Sequence, residues 1–286
     1  MSNTIDFTQE ILADLSAARK EPSWMVSLRQ DALNKLNTIE MPKPDKTKLD
    51  KWNFDVHHKV IESETYATKA DLPESVKALI DIDNTHNLIV QHNNTTAFIE
   101  VEATLQSQGV IITDIQTAVA EHSELVEKYY MTDAVKVDEH RLTALHAAMM
   151  NGGVFIYVPR NVVIEHPVQY IVLHDNEEAN LFNHVVIVAE ESSEVTYVEN
   201  YLSSVTAANG QLNIISEVIA KDNAKVNYGA VDFLNKDLVG HVIRRGIASR
   251  DAVIDWALGL MNDGDTIHDN TTYLMGDDSN LSLIHI

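Results

Sequence analysis

The sequence predicts a mainly β protein, in which a helix-rich, mixed α/β region precedes a parallel β-helix. From Val154 onward, helical spacing gives way to short β-branched and aromatic runs separated by Asn, Asp, Ser and Glu. These runs recur about every 28 residues, two per unit and without an intervening helix. Such a period is typical of a solenoid in which each coil stacks on the previous one. We therefore assign residues 1–150 to the first region and residues 151–286 to the β-helix.

The first elements of the chain are predicted to be two amphipathic helices. Apolar residues recur at helical spacing in residues 4–20 and again in residues 21–36, where Pro22 can occupy the first turn. Two prolines and alternating charges then interrupt this spacing in residues 41–54. That segment is predicted to be an irregular connector.

The rest of the first region combines a hairpin with further helices. Asn93-Asn94 separates two short apolar runs and indicates a hairpin turn. Helical spacing returns in residues 118–130 and 138–153. Gly152-Gly153 is predicted to end the second of these helices.

The repeat predicts which side chains are stacked inside the β-helix. Four runs place an aromatic residue two positions after an aliphatic one, and stacked strands lie about 4.8 Å apart. The aromatics predicted to form one buried column are Tyr170, Tyr197, Tyr228 and Trp256. The residues that precede them are polar and are predicted to face outward: Gln169, Thr196, Asn227 and Asp255. An exposed aromatic platform for a ligand is the alternative, and core stacking is favoured.

A second series of strands places His184, Asn213 and His241 at equivalent positions. The two histidines would then be two coil steps apart, about 9 to 10 Å, which is too far for one metal ion. Glu217 and Arg245 are also predicted to be equivalent in adjacent coils and could pair there. We interpret that pair as structural.

Composition excludes several classes of function. The chain has 286 residues, 43 acidic against 21 basic, and a formal charge of -22, which disfavours binding to nucleic acid or to anionic membranes. It contains no cysteine, so disulfides, thiolate ligands and a cysteine nucleophile within these residues are excluded. Neither a signal peptide nor a membrane span is predicted. We expect a cytoplasmic protein.

No residue is assigned to catalysis or to metal binding, and cofactor-binding residues stay unassigned. The chain has no nucleophile elbow, no glycine-rich phosphate loop and no zinc-binding helix motif. Four further histidines show no ligand spacing and are predicted to be solvated or hydrogen-bonded: His57, His58, His140 and His146. The acidic run at residues 262–270 lacks the ligand pattern of a calcium loop and is interpreted as a coil corner.

Several segments resemble the SufB/SufD core proteins of the SUF iron-sulfur cluster assembly system. In the first half these are "EPSWMVSLRQDAL" and "DKTKLDKWNF". In the second half they are "LFNHVVIVAEESSEVTYVENY", "NIISEVI", "NYGAVD", "RRGIASRDAVIDWALGLMNDGDT" and "NTTYLMGD". The resemblance implies a helical N-terminal region followed by a right-handed parallel β-helix and a C-terminal helical segment. Because SufB-like chains supply cluster-building cysteines and this chain has none, it resembles the SufD branch.

The resemblance also implies a function and partners. A SufD-like chain would be a non-catalytic scaffold that pairs with a SufB-like paralogue and is driven by a SufC-like ABC-type ATPase. The complete complex would handle a transient iron-sulfur cluster, and no cofactor would be bound stably by these residues. In that family the contacts with the ATPase and with the cluster are expected beyond residue 286. The chain is therefore expected to lack the ATPase-docking region, to be inactive alone and to self-associate through its last coil.

The final residues, "LSLIHI" at 281–286, depart from the family pattern. Their reverse translation, CTG TCT CTT ATA CAC ATC, resembles a transposon end used in sequencing libraries. We expect these six residues to be adapter sequence and the gene to continue, which resequencing of the locus would decide.

The alternative from another functional class is a carbohydrate-active enzyme with a β-helix fold. Such an enzyme would need carboxylates stacked along an exposed groove. The repeat instead predicts that Ala230 and Leu258 follow Glu199 in the next coils, and that Asp232 follows Tyr201. This misalignment of carboxylates disfavours the enzyme.

Overall fold

The computed structural model describes residues 5–54, 56–57, 59–204, 211–236 and 238–286. The helices in these ranges are α1 (Gln9–Ala18), α2 (Ser23–Lys35), α3 (Glu74–Lys77), α4 (Ala103–Ser107), α5 (Ile115–Glu121), α6 (Ser123–Tyr129) and α7 (Arg141–Met149). The first strands are β1 (Ile5–Asp6), β2 (Val56–His57), β3 (Asn87–His92), β4 (Thr95–Glu100) and β5 (Ile111–Asp114). The later strands are β6 (Gly152–Val158), β7 (Val168–His174), β8 (Leu181–Ala189), β9 (Glu194–Ser203), β10 (Gln211–Ala220), β11 (Lys225–Phe233), β12 (Val239–Ala248), β13 (Val253–Leu260), β14 (Asp265–Leu274) and β15 (Asn280–His285).

The later strands form a β-solenoid, which confirms the predicted fold class. Successive strands alternate between a six-stranded sheet, in the order β14-β12-β10-β8-β6-β5, and a seven-stranded sheet, in the order β15-β13-β11-β9-β7-β3-β4. Stacked strands are parallel and lie about 29 residues apart in the sequence. Strands β3, β4 and β5 complete the two sheets at one end, where the pairs β3-β4 and β5-β6 are antiparallel.

The two sheets differ in how their faces are buried. Every residue of β8 and β10 is buried, because one face of these strands lines the solenoid interior and the other packs against the helical region. In β9 and β11 buried residues alternate with half-buried or exposed ones, as expected for strands with only one face in the core. The helical region therefore covers the six-stranded sheet.

The predicted aromatic column is present, with one correction. Tyr228 pairs in register with Tyr197 on one side and Trp256 on the other, at ring centroid distances of 5.0 and 4.7 Å. The prediction was wrong for Tyr170, which is buried but lies in register with Glu199. Its ring instead contacts Tyr201 edge-on at 6.3 Å. The polar residues Thr196, Asn227 and Asp255 are in register and half-buried on the opposite face.

One corner of each coil carries a residue in the left-handed backbone region. These residues are Asn161, Ser192, Asn223, Asp251 and Asp278, with φ between 57° and 62°. Asn and Asp tolerate this conformation better than most residues, because their short polar side chains bond locally. The recurring polar turns seen in the sequence are therefore structurally equivalent corners.

The first region largely follows the sequence-based prediction. Helices α1, α2 and α7 form where helical spacing predicts them, and the hairpin β3-β4 turns at Asn93, which has φ 49°. The role predicted for Gly152-Gly153 was wrong, because α7 ends at Met149 and both glycines begin β6. Gly153 has φ 123°, and a Cβ there would lie 2.0 Å from the carbonyl oxygen of His184. Close packing of β6 against β8 requires a glycine at this position.

Candidate functional site

A buried polar layer lies between α7 and the six-stranded sheet. His146 of α7 places Nε2 3.0 Å from Nδ1 of His184 and Nδ1 3.1 Å from Oδ1 of Asn213. His184 continues the chain through Nε2, which lies 2.9 Å from Oε1 of Glu217. All four side chains are fully buried. We call these four residues the His-Glu layer.

The hydrogen bonds of the His-Glu layer determine where its protons lie. Asn213 donates through Nδ2 to the Leu142 carbonyl at 3.0 Å, so its Oδ1 accepts from His146. A neutral His146 then accepts at Nε2 from His184, and a neutral His184 accepts at Nε2 from a protonated Glu217. Charge separation would place an imidazolium and a carboxylate in a desolvated layer, which is unfavourable.

The pKa shifts agree with this neutral arrangement. Burial raises the pKa of Glu217 to about 8, although the backbone N–H groups of Met131 and Val135 lower it. Burial lowers the pKa of His184 to about 3 and that of His146 well below its usual 6.5. The layer therefore holds α7 to the solenoid through neutral hydrogen bonds.

The predicted equivalence of Glu217 and Arg245 is confirmed, because β10 and β12 pair them in register. The two side chains could pair directly, but each binds other groups instead. Glu217 accepts from Met131 N and Val135 N at 2.7 and 3.0 Å. Arg245 binds Glu139 at 3.1 Å and Asp269 at 2.7 Å. Both residues connect the solenoid to neighbouring segments of the chain.

The other histidines occupy different environments. Asn213 and His241 are in register as predicted, whereas His184 is in register with Ile215, so the predicted three-residue column is wrong. His140 contacts His241 edge-on, with ring centroids 5.0 Å apart. His58 and the side chain of His57 lie outside the described residues.

A second polar cluster is buried inside the solenoid. Arg244 binds Oε1 of Glu199 at 2.9 Å and both carboxylate oxygens of Asp232 at 3.0 and 3.1 Å, and all three side chains are fully buried. Tyr197 donates to Oε2 of Glu199 at 3.0 Å. Burial raises the pKa of Glu199, while the guanidinium of Arg244 lowers it. We call Arg244, Glu199 and Asp232 the interior ion cluster.

The carboxylates do not form the exposed column that a carbohydrate-active β-helix enzyme would need. Ala230 lies in register with both Glu199 and Leu258, and Asp232 lies in register with Tyr201, as predicted. Glu199 and Asp232 instead point inward to the same guanidinium. Their arrangement stabilises the solenoid interior and does not form an exposed groove.

A third group, which no pattern in the sequence indicates, consists of His86, Glu102 and His166. Oε1 of Glu102 lies 3.0 Å from Nδ1 of His166 and 3.5 Å from Nδ1 of His86. The two imidazole rings are stacked at a centroid distance of 3.9 Å. In sequence these residues are far apart, and only the pairing of β3 with β4 and β7 brings them together. The group could have been predicted only from the knowledge that the strands starting near residues 87 and 168 are neighbours in the sheet.

Comparison with known proteins identifies the family. A profile for the SufBD protein N-terminal region matches residues 9–170, and one for the SufBD core domain of SUF-system FeS cluster assembly matches residues 171–286. The iron-sulfur cluster assembly protein SufD of Bacillus subtilis is 52% identical over 280 residues, which cover 97% of this chain and 64% of that protein.

More distant relatives show the same relationship. A SufBD family protein of Staphylococcus saprophyticus is 25% identical over 296 residues, and one of Staphylococcus haemolyticus is 26% identical over 289 residues. Each alignment covers 98% of this chain and 62% of the relative, so the chain spans less than two thirds of the length of these proteins. Among the described residues, no helix combines the length and the hydrophobicity needed to cross a membrane. The chain belongs to the SufBD family of the SUF iron-sulfur cluster assembly system.

Proposed function

We propose that the chain is part of a SufD-type scaffold subunit that assists iron-sulfur cluster assembly in the cytoplasm without catalysing a reaction itself. The observation that carries this proposal is the 52% identity to Bacillus subtilis SufD over nearly the whole chain. The SufBD family proteins of Staphylococcus quoted above are 25% and 26% identical, so the similarity to SufD is much greater.

Two features of the chain support a scaffold role. The 286 residues contain no cysteine, and therefore no thiolate for building a cluster. The two buried carboxylates of the interior ion cluster are engaged as well, because both bind Arg244. These features favour a subunit that positions partner proteins, with the cluster held transiently by the complete complex.

The proposed partners are a SufB-like paralogue, which would supply thiolates, and a SufC-like ABC-type ATPase. Neither nucleic acid nor a membrane is proposed as a partner, because the charge of -22 opposes binding to anionic surfaces. The ATPase contact is proposed to lie outside the residues present here, as the resemblance to the family implies.

Co-purification tests this proposal. The complete gene product, tagged and co-expressed with its genomic neighbours, should retain a SufB-like and a SufC-like protein through gel filtration. The 286-residue chain, expressed in parallel, should fail to retain the ATPase. Failure of the complete product to retain either neighbour would contradict the proposed assembly. Retention of the ATPase by the 286-residue chain would place the docking surface within these residues.

A further inference from the structure

His86, Glu102 and His166 lie at one edge of the seven-stranded sheet, where three strand ends meet. Strand β3 is parallel to β7 and antiparallel to β4, with Asn87 opposite Val168 and Leu88 opposite Glu100. The start of β3, the start of β7 and the end of β4 therefore lie side by side. His86 immediately precedes β3, His166 lies two residues before β7, and Glu102 lies two residues after β4.

The distances within this group match those of a metal-ligand set. One oxygen of Glu102 lies 3.0 and 3.5 Å from the two Nδ1 atoms, and all three potential ligand atoms lie within 4.8 Å of one another. Ligands about 2.0 to 2.1 Å from a tetrahedral zinc ion are separated from one another by roughly 3.3 Å. The carboxylate oxygen is thus already at the required spacing from both imidazoles.

A buried amide fixes the backbone of two of these ligands. Asn87, which is fully buried, donates through Nδ2 to the carbonyl oxygen of His166 at 3.2 Å. Its Oδ1 accepts from the backbone N–H of Glu102 at 3.1 Å. Because one side chain connects both backbones, the spacing of Glu102 and His166 is set before any ion arrives.

The side chains of the group remain open to solvent. Their relative exposures are 36% for His86, 25% for Glu102 and 42% for His166. The rings are stacked with planes 26° apart, so coordination requires them to turn until their in-plane lone pairs converge. Their exposure leaves room for this rotation and for water at the remaining coordination positions.

We propose that His86, Glu102 and His166 form a binding site for a divalent first-row transition metal ion. Two imidazoles and one carboxylate suit Zn²⁺ or Fe²⁺, whereas Mg²⁺ and Ca²⁺ prefer sites made of oxygen ligands. The glutamate supplies one negative charge within the site, and the strongly acidic chain attracts cations in general. This site is independent of the proposed role in cluster assembly.

Metal titration of the 286-residue chain, stripped with a chelator, tests the site. Calorimetry with Zn²⁺, and with Fe²⁺ under anaerobic conditions, should show saturation at one equivalent, and Co²⁺ should give the absorption spectrum of a site with nitrogen and oxygen ligands. His166→Gln and Glu102→Gln should each weaken binding by at least roughly tenfold. Circular dichroism would verify that both variants are folded.

A matched control is the pair His92 and Asp175, which also joins an imidazole to a carboxylate, at 2.8 Å, but lies outside the group of three ligand residues. His92→Gln should leave metal affinity and stoichiometry unchanged. The proposal is overturned if the chain binds no transition metal, if the His166 and Glu102 variants bind as tightly as the parent, or if Mg²⁺ and Ca²⁺ bind as tightly as Zn²⁺ and Fe²⁺.

Discussion

His184 donates a hydrogen bond from Nδ1 to Nε2 of His146 across 3.0 Å, so a single proton lies between the two buried imidazoles that connect β8 to α7. Protonation of both rings would set two N–H groups against each other. It would also place charge in a layer that water does not reach. The attachment of α7 to the solenoid therefore depends on neutral histidines.

Acidification should destabilise the protein through this pair. The folded-state pKa of His184 is about 3 and that of His146 is also far below 6.5, so the unfolded chain binds more protons below pH 6.5. The free energy of unfolding should fall as pH decreases from 6.5. Urea titrations at several pH values would measure this slope. It should be smaller in His184→Asn, whereas Tyr170→Phe, which removes a buried hydroxyl but no imidazole, should retain it.

Glu217 should produce the opposite dependence at higher pH. Its folded-state pKa is about 8 against 4.5 for an ordinary glutamate, so its contribution is fully present below pH 4.5 and is lost as pH rises through 8. Thermal unfolding should therefore show Tm falling between neutral and mildly alkaline pH, and Glu217→Gln should reduce that fall. Glu191→Gln removes a carboxylate that is 44% exposed and binds Arg160, and it serves as the control. An equal fall in the parent and in Glu217→Gln would contradict the protonated glutamate.

Removal of the cation from the interior ion cluster should be costly. Arg244→Met would leave Glu199 and Asp232 buried without a counter-ion, and we expect a loss of about 3 to 5 kcal/mol in the free energy of unfolding. Arg250→Met breaks the exposed pair with Asp222 and should cost at most about 1 kcal/mol. Urea unfolding measures the loss in the free energy of unfolding for both variants. Equal losses would show that burial does not make the interior ion cluster more important for stability than the exposed pair.

The centre of the aromatic column should be sensitive to truncation. Tyr228 packs between Tyr197 and Trp256 and donates to Oγ of Ser216 at 2.8 Å. Tyr228→Ala should cost about 3 to 5 kcal/mol, since a buried aromatic ring leaves a large cavity. Tyr228→Phe retains the ring and should cost about 1 kcal/mol. If the two substitutions were equally destabilising in urea, the hydrogen bond rather than the ring would dominate.

The sequence predicts the solenoid well because inward-facing and outward-facing residues alternate along the strands of every repeat. Alternation alone does not fix the register between stacked strands. A shift of one residue would reverse inside and outside, whereas a shift of two preserves both. The repeat therefore places Tyr170 beside Tyr197, although Tyr170 pairs with Glu199 in the structure. The same two-residue difference separates the predicted partner of His184, Asn213, from its actual partner, Ile215. The predicted burial of Tyr170 was correct and its predicted neighbour was wrong, whereas for His184 only the neighbour was predicted, and that prediction was wrong.

The three polar groups were harder to predict, because each depends on contacts between distant segments. The His-Glu layer requires α7 to lie on the outward face of β8 and β10, which no local pattern specifies. His86 and His166 become neighbours only through the pairing of β3 with β7. Histidine spacing along the chain therefore carries little information about the metal-site candidate.

The left-handed corners limit where residues can be inserted into the solenoid. The corners after β8, β10 and β12 each comprise four residues, 190–193, 221–224 and 249–252. Stacked aromatics nevertheless lie 31 and 28 residues apart, at Tyr197, Tyr228 and Trp256, so the difference in coil length lies in the opposite connections. Engineers who wish to graft a binding loop or a reporter peptide onto this scaffold should therefore avoid these three conformationally fixed corners.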